Sequence, residues 1–162
     1  MQIRPATADD WPAIFPIFHA IVEAGETYAY PTGLSSDAAR DLWLEPAPWH
    51  VVVAVDNDGR VLGTAKAGPN RPARGSHVAT ASFMVDPGAQ GGGVGRTLAV
   101  HVIDWATRAG YHGMQFNAVV ETNTAAVALW QSLGFTIIGT VPEAFDHPTA
   151  GLVGLHVMYL RL

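Results

Sequence analysis

The sequence predicts an α/β (α+β) fold: a mixed, largely antiparallel sheet of about seven strands flanked by about four helices. Three observations point there. Strand-like and helix-like segments alternate in the order β-α-α-β-β-β-α-β-α-β-β, too irregular for a doubly wound parallel sheet. Apolar residues make up 49% of the 162 positions and charged residues only 14%, enough to build a buried core and too apolar for a disordered chain. A run of four glycines in five positions, Gly91 to Gly95, stands between a strand-like and a helix-like segment. The length predicts one domain over residues 1–162, with no repeat and no linker.

Each element has its own signal. Gln2 to Arg4 reads as a first strand. Thr7 to Asp10 opens a helix as a capping-box-like start, followed by Trp11, Ile14, Phe15, Phe18, Ile21 and Val22 at helical spacing. Pro12 suits its first turn, and Pro16 is placed to kink it. Ala24 to Leu34 is expected as a loop. Ser35 or Ser36 caps a short second helix through Leu44, which Pro46 and Pro48 end. His50–Val55 and Arg60–Ala67, around Asp56-Asn57-Asp58-Gly59, read as a hairpin. Gly68 to Gly75 is expected as a loop and His77 to Val85 as a long strand. The next helix carries Leu98, Ala99, Val102, Ile103 and Ala106 on its apolar face and ends near Gly110. Met114 to Val120 follows as a strand. Thr122-Asn123-Thr124 opens the last helix, whose buried stripe includes Ala126, Leu129, Trp130 and Leu133. Gly134 is expected to end it in a left-handed conformation, with Phe135 folded back on the last turn. Phe135–Val141 and Leu152–Leu160 complete the sheet, joined by a loop from Pro142 to Gly151.

The glycine run carries the chemistry. A strand, a glycine-rich turn and a helix N-terminus present bare backbone N–H groups to an anion. The spacing excludes two common cradles. The G-x-G starts here place Arg96 or Leu98 where a dinucleotide fingerprint needs its third glycine, and the only lysine, Lys66, is far from where a Walker loop needs one. What remains is Gln90-x-x-Gly93-x-Gly95. This resembles the R/Q-x-x-G-x-G/A signature of the GCN5-related N-acetyltransferase (GNAT) superfamily. Downstream, Asn123-Thr-Ala-Ala126-Val-Ala-Leu129-Trp130-Gln-Ser-Leu133-Gly134-Phe135 is similar to that superfamily's N-x-x-A-x-x-L-Y-x-x-L-G-F segment. Two signatures in the right order extend the resemblance over Ala81 to Gly139, and the element order extends it over nearly the whole chain. A finer similarity links Phe116 to Asn123, with Leu129-Trp130, to acetyltransferases of proline analogues such as azetidine-2-carboxylate.

The resemblance implies acetyl-CoA as acyl donor. Its pyrophosphate would lie on Gln90, Gly91, Gly92, Gly93, Val94, Gly95 and Arg96. Its pantetheine arm would pair with the strand at Phe83, Met84 and Val85 and reach Asn123. An N–H near Met84 would serve as oxyanion donor. Asn117, placed mid-strand where its amide is expected to be buried, is implied to be catalytic and to touch substrate. The loop from Glu26 through Tyr28 and Tyr30 is expected to select the acceptor, with Glu143 to His147 as the opposite wall. Trp130 stands where most members have a proton-donating tyrosine, and an indole N–H donates a hydrogen bond but is no usable acid. Simpler roles stay open beside these: a solvent-facing Arg96, a plain loop Gln90, a helix-capping Asn123, a core Trp130 and a packed aromatic turn at Tyr28 and Tyr30. The general base is not identifiable; Glu26, His77, Glu121, Asp146 and His147 qualify by type only.

These features predict an enzyme that acetylates the primary or secondary amine of a small molecule or amino-acid-like substrate, by direct attack in a ternary complex. A protein lysine or N-terminal acetyltransferase and a non-catalytic acyl-CoA sensor remain alternatives. The net charge of −5 and the absence of a basic cluster argue against nucleic acid. With no cysteine there is no thiolate nucleophile, and the seven histidines lack metal-ligand spacing. No signal peptide or membrane span is recognisable, so a cytoplasmic protein is expected, working on a small amine alone or as a homodimer.

Overall fold

The computed structural model describes residues 1–162. In chain order the elements are β1 (Gln2–Pro5), α1 (Trp11–Ala24), α2 (Ser36–Trp43), β2 (His50–Val55), β3 (Val61–Pro69), β4 (Val78–Val85), α3 (Val94–Arg108), β5 (Gly113–Val120), α4 (Thr124–Ser132), β6 (Thr136–His147) and β7 (Gly151–Arg161). They form one seven-stranded sheet ordered β1-β2-β3-β4-β5-β7-β6. Every neighbouring pair is antiparallel except β4 and β5. That parallel pair holds at only two positions, Val78 with Gly113 and Ala79 with Met114, after which the strands part.

Strand alternation divides the core between the two faces of the sheet. Val53, Val55, Val61 and Met84 pack under α1 and α2 with Trp11, Ile14, Phe18 and Trp43. Val52, Ala54, Ala65 and Ala67 pack on the other face against Leu98, Ala99, Val102 and Ala106 of α3 and Trp130 of α4. Gly63 in β3 lies against both the β4 backbone and α3. A Cβ there would sit 2.8 Å from the Met84 carbonyl oxygen and 3.1 Å from Val94, so only glycine lets this helix settle beside the cleft.

The helix ends obey local chemistry. At the start of α1, the Asp10 carboxylate accepts the Thr7 N–H at 2.8 Å and a bidentate pair from Arg4 at 2.6 and 2.8 Å. Helix α1 runs unbroken through Pro16. The missing bond there would have gone to the carbonyl of Pro12, in the first turn. Helix α4 closes as a Schellman motif: Gly134 lies at φ 96°, its N–H bonds the Gln131 carbonyl, and the Phe135 N–H bonds that of Trp130.

Two boundaries and the burial of one residue differ from the sequence reading. Strand β3 continues to Pro69, because Asn70 still donates to the Val78 carbonyl at 2.8 Å. Strand β6 does not stop at Val141 but continues through Pro142 to His147, leaving a tight connection at Pro148–Ala150. A proline is tolerated because β6 is an edge strand. The extra length is absorbed by a register shift between Val141 and Phe145, where Glu143 takes φ 53°. Asn117 is exposed rather than buried, because Asn117 and Ala118 form a bulge between the paired positions Phe116–Met158 and Val119–His156.

The Arg4 guanidinium beside Asp10 lowers its carboxyl to about 2 from an ordinary 3.8. A depressed carboxyl stabilises the fold above its unfolded value, and that stabilisation is lost as pH falls toward 2. Asp10→Asn is expected to cost about 1.5–3 kcal/mol at pH 6, the worth of a hydrogen bond to a charged group, and much less near pH 2. Urea denaturation midpoints across that range check it; a pH-independent difference would remove the ion pair from the explanation.

Candidate active site

The parting of β4 and β5 creates a cleft of about 460 Å³, in the size range of small-molecule sites. Strand β4 supplies one wall from Thr80 to Phe83 and Val85, and β5 the other from Phe116 to Val120. Asn123, Ala126 and Trp130 of the α4 segment close one side, and Tyr28 and Tyr30 from the α1–α2 connection close another. Gln90 marks where the cleft meets the glycine run.

Strand geometry decides which β4 groups face the cleft. In an antiparallel ladder successive residues point their N–H and C=O to alternate sides. Asp86 donates to the Leu62 carbonyl at 2.9 Å, and Met84 pairs with Thr64 two residues earlier, so these even positions bond to β3. Phe83 and Val85 therefore turn their polar groups to the open edge. Met84 does not reach the site: its side chain is 1% exposed in the core beneath α1, and its N–H belongs to the β3 ladder. The N–H this strand turns toward the cleft at this level is that of Phe83.

That N–H has a partner from a distant segment. Phe83 donates to the Tyr28 hydroxyl at 3.0 Å, and the same hydroxyl donates back to the Phe83 carbonyl at 2.8 Å. One side chain thus satisfies both polar groups that Phe83 turns to the cleft. Burial pushes the Tyr28 phenol well above its ordinary value, so it stays protonated. Tyr28 stacks on Tyr30 with ring planes 2° apart at 5.5 Å, and Tyr30 stacks on Phe18 of α1. The packed aromatic turn and the cleft wall are the same structure.

The glycine run is built as an anion cradle. After a short 3-10 turn at Pro87–Ala89, Gly91 and Gly93 take φ of 79° and 78°, conformations that side chains resist. Gly93 precedes α3 without any side-chain cap, so the first-turn N–H groups of Val94, Gly95 and Arg96 have no partner from a cap. A Cβ on Gly91 or Gly93 would meet nothing within 4 Å, so their surroundings are open. The Arg96 side chain reaches sideways, donating to Ser132 Oγ of α4 at 2.7 Å, and ties the two helices that flank the site.

Other expected residues fall into two groups. Asn123 Oδ1 accepts the Ala126 N–H at 3.2 Å and caps α4, and its residue also lines the cleft, so capping leaves the amide nitrogen free for a ligand. Trp130 is 7% exposed, with its ring 4.9 Å from those of both Phe83 and Phe116. It is core and cleft wall at once. Asn117 projects from the bulge, accepting from Gln115 at 2.8 Å and donating to Asn70 Oδ1 at 2.6 Å. Asn70, at the end of β3, is a residue the sequence reading missed; only the extension of β3 brings it there. Glu26 is exposed and lines no part of the cleft, and neither does any residue from Glu143 to His147, which lie on the β6 arm.

The comparisons with known proteins fit this geometry. The family model described as Acetyltransferase (GNAT) family matches residues 11–135. A GCN5-related N-acetyltransferase from Kribbella flavida superposes with a TM-score of 0.97 at 61% identity, over 99% of this chain and 97% of that one. YncA from Salmonella typhimurium, solved with its cofactor acetyl-CoA, gives 0.84 at 30% identity over 100% and 94%. The L-amino acid N-acyltransferase MnaT of Escherichia coli is 34% identical over 88% of this chain and 84% of its own. N-acetyltransferase aca1 of Schizosaccharomyces pombe is 30% identical over 76% of this chain, which spans 66% of that protein's length. The chain belongs to the GNAT acetyltransferase family.

Glycine positions in the cradle are separable by experiment. At Gly95 an added Cβ meets only ordinary contacts, 3.6 Å from Leu129 and 3.7 Å from Val85. Gly95→Ala is expected to leave thermal stability unchanged or raised, since alanine favours a helix by up to about 1 kcal/mol, and to weaken acetyl-CoA at least about 10-fold by crowding the first turn. Gly93→Ala is expected to lose about 1–2 kcal/mol of stability as well, through its left-handed backbone. Calorimetry and thermal melts check both; unchanged affinity in both variants would move the anion away from this loop.

Proposed function

We propose that the chain transfers the acetyl group of acetyl-CoA to the amine of a small molecule or amino-acid-like acceptor, by direct attack in a ternary complex. The carrying observation is the single cleft in which the open β4 edge, the uncapped N-terminus of α3 and an aromatic pocket meet. Family membership supports acetyl-CoA as donor, and the likeness to the L-amino acid N-acyltransferase MnaT supports an amino-acid-like acceptor. No helix is long and apolar enough to cross a membrane.

Acetyl-CoA supplies a carbonyl activated by a thiolate leaving group. The chain's own groups do the rest. Backbone N–H groups of Gly91 to Arg96 hold the pyrophosphate, each bond to a charged oxygen being worth roughly 1.5–3 kcal/mol. Val85 pairs with the pantetheine arm and Asn123 adds its free amide nitrogen. The Phe83 N–H faces the open edge of β4 and, released by the Tyr28 hydroxyl, would donate to the carbonyl oxygen as negative charge develops there. The Trp130 indole N–H makes no bond inside the protein, yet His50 Nε2 is the one buried side-chain polar atom without a partner. The indole N–H is therefore not sealed in the core, and from the cleft that Trp130 lines it would stabilise the departing sulfur by hydrogen bonding. Asn117 orients the acceptor from the bulge.

Calorimetry with acetyl-CoA, and thiol release with a panel of small amines and a lysine peptide, test this reading. Release driven by small amines supports it. Release with the peptide alone would favour a protein-directed enzyme, and binding without release a sensor. Two variants refine it. Tyr28→Phe frees both polar groups of Phe83, so acetyl-CoA is expected to bind about 3- to 10-fold more tightly, the value of one ordinary hydrogen bond; weaker binding would make Tyr28 a donor ligand instead. Asn117→Ala is expected to lower turnover about 10-fold or more with little change in acetyl-CoA affinity. Equal losses in both would transfer Asn117 to the donor side.

A further inference from the structure

The connection between α1 and α2 has the build of a flap. Gly25 ends α1 at φ 67° and Gly33 stands before α2 at φ 71°, so a left-handed glycine marks each end. The Gly33 N–H donates to the Glu23 carboxylate at 2.6 Å and fixes the far end to α1. Between them, from Glu26 to Thr32, no backbone group hydrogen-bonds to another backbone group. The segment is held by two rings and one hydroxyl. Tyr30 stacks on Phe18, Tyr28 stands edge-on to Trp43 at 6.5 Å, and the Tyr28 hydroxyl closes on Phe83. A segment short of backbone hydrogen bonds and bounded by hinge residues is the part of a fold that moves at least cost.

We propose that Tyr28 latches this flap shut, and that the acetyl group of the donor, not the CoA body, releases the latch. The proposal rests on the acetyl-transfer reading and adds the regulation of the same site. An N–H carries one hydrogen and makes one strong bond. At Phe83 the Tyr28 hydroxyl holds that bond at 3.0 Å. In the acetyl-transfer reading the pantetheine arm pairs at Val85 and the thioester carbonyl takes the Phe83 N–H. Two acceptors cannot share it, so the phenol leaves as the carbonyl arrives. Free CoA ends in a thiol, a weak hydrogen-bond partner with no carbonyl to offer at that level. It leaves the latch in place. Burial keeps the phenol protonated, so it can donate and accept again whenever the carbonyl departs.

The latch lies where its movement matters. Thr27, Tyr28 and Tyr30 line the cleft together with Asn117, the residue proposed to orient the acceptor. Release of Tyr28 therefore frees the wall beside the acceptor at the moment the acetyl group is in place. After transfer the CoA product leaves the Phe83 N–H free, and the Tyr28 hydroxyl takes back both groups. The flap thus carries the acetylation state of the bound cofactor to the acceptor side of the cleft. A Tyr28 with a packing role alone would not tell the two forms of the cofactor apart.

The test uses the intact protein with 3-fluorotyrosine at its four tyrosines, read by fluorine NMR. The Tyr28 signal is the one missing from Tyr28→Phe, a variant that keeps the ring stacks. Calorimetry with acetyl-CoA and with CoA comes first. Absence of acetyl-CoA binding would remove the acetyl-transfer reading and this proposal with it. Given binding, saturating acetyl-CoA is expected to move the Tyr28 signal, and saturating CoA to leave it at its position in the free protein. Movement with both alike, or with neither, would overturn the latch and leave the acetyl-transfer reading standing. In the variant, acetyl-CoA is expected to bind about 3- to 10-fold more tightly, the value of one ordinary hydrogen bond, with CoA affinity unchanged. An equal gain for both, or no gain for acetyl-CoA, would show that Tyr28 does not distinguish the two.

Discussion

The structure depends on what happens to the free edge of β4. A strand inside a sheet has both edges paired, and an unpaired edge away from bulk water must find partners. After Ala79 this strand loses β5, so its outward N–H and C=O groups face a cleft instead of a neighbour. The Tyr28 hydroxyl supplies the missing partner at Phe83, donating to one group and accepting from the other. The same edge gives a linear ligand with amide groups something to pair with. Parting the strands thus makes a site and a liability together, and the α1–α2 loop is held over the cleft by what it does for that liability.

What keeps the strands apart is aromatic packing on one face and a bulge on the other strand. Phe83, Phe116 and Trp130 meet under the notch, and Phe135 stacks on Phe116 at 4.3 Å. Trp130 and Phe135 are joined through the Schellman end of α4, so the helix stop and the cleft floor are one arrangement. On β5 the register slips by one residue at Asn117–Ala118, which turns Asn117 outward to bond with Asn70 across the mouth. The cradle is fixed on the other side by Gly63, which admits α3 against β3, and by the Arg96–Ser132 tie to α4.

Local rules made much of this legible before any coordinates. The strand, glycine run and uncapped helix, the Gly134 stop, the hairpin and the apolar faces of α1 and α3 all rest on neighbouring residues. The misreadings share one cause, which is contact at long range. Met84 was placed in the site by resemblance alone, yet which residues face the cleft depends on the register with β3. Asn117 looked buried because its segment reads as a plain strand; only pairing with β7 reveals the bulge. Pro142 read as a strand breaker because nothing local says that β6 lies at the sheet edge. The Tyr28–Phe83 contact spans 55 positions, and no pattern in either segment announces it.

The replacement of the usual tyrosine by Trp130 takes on a different meaning in this setting. A phenol at that position would serve as an acid for the departing sulfur, whereas an indole offers a hydrogen bond and no proton. Trp130 therefore offers no acid at its own position, and the residues lining the cleft include no carboxylate or imidazole. The two absences are consistent with each other if the proton leaving the nitrogen is the proton that the sulfur acquires. A neutral cleft and an indole in place of a phenol thus describe one kind of site: an uncharged slot walled by aromatic rings, into which the backbone N–H of Phe83 is turned.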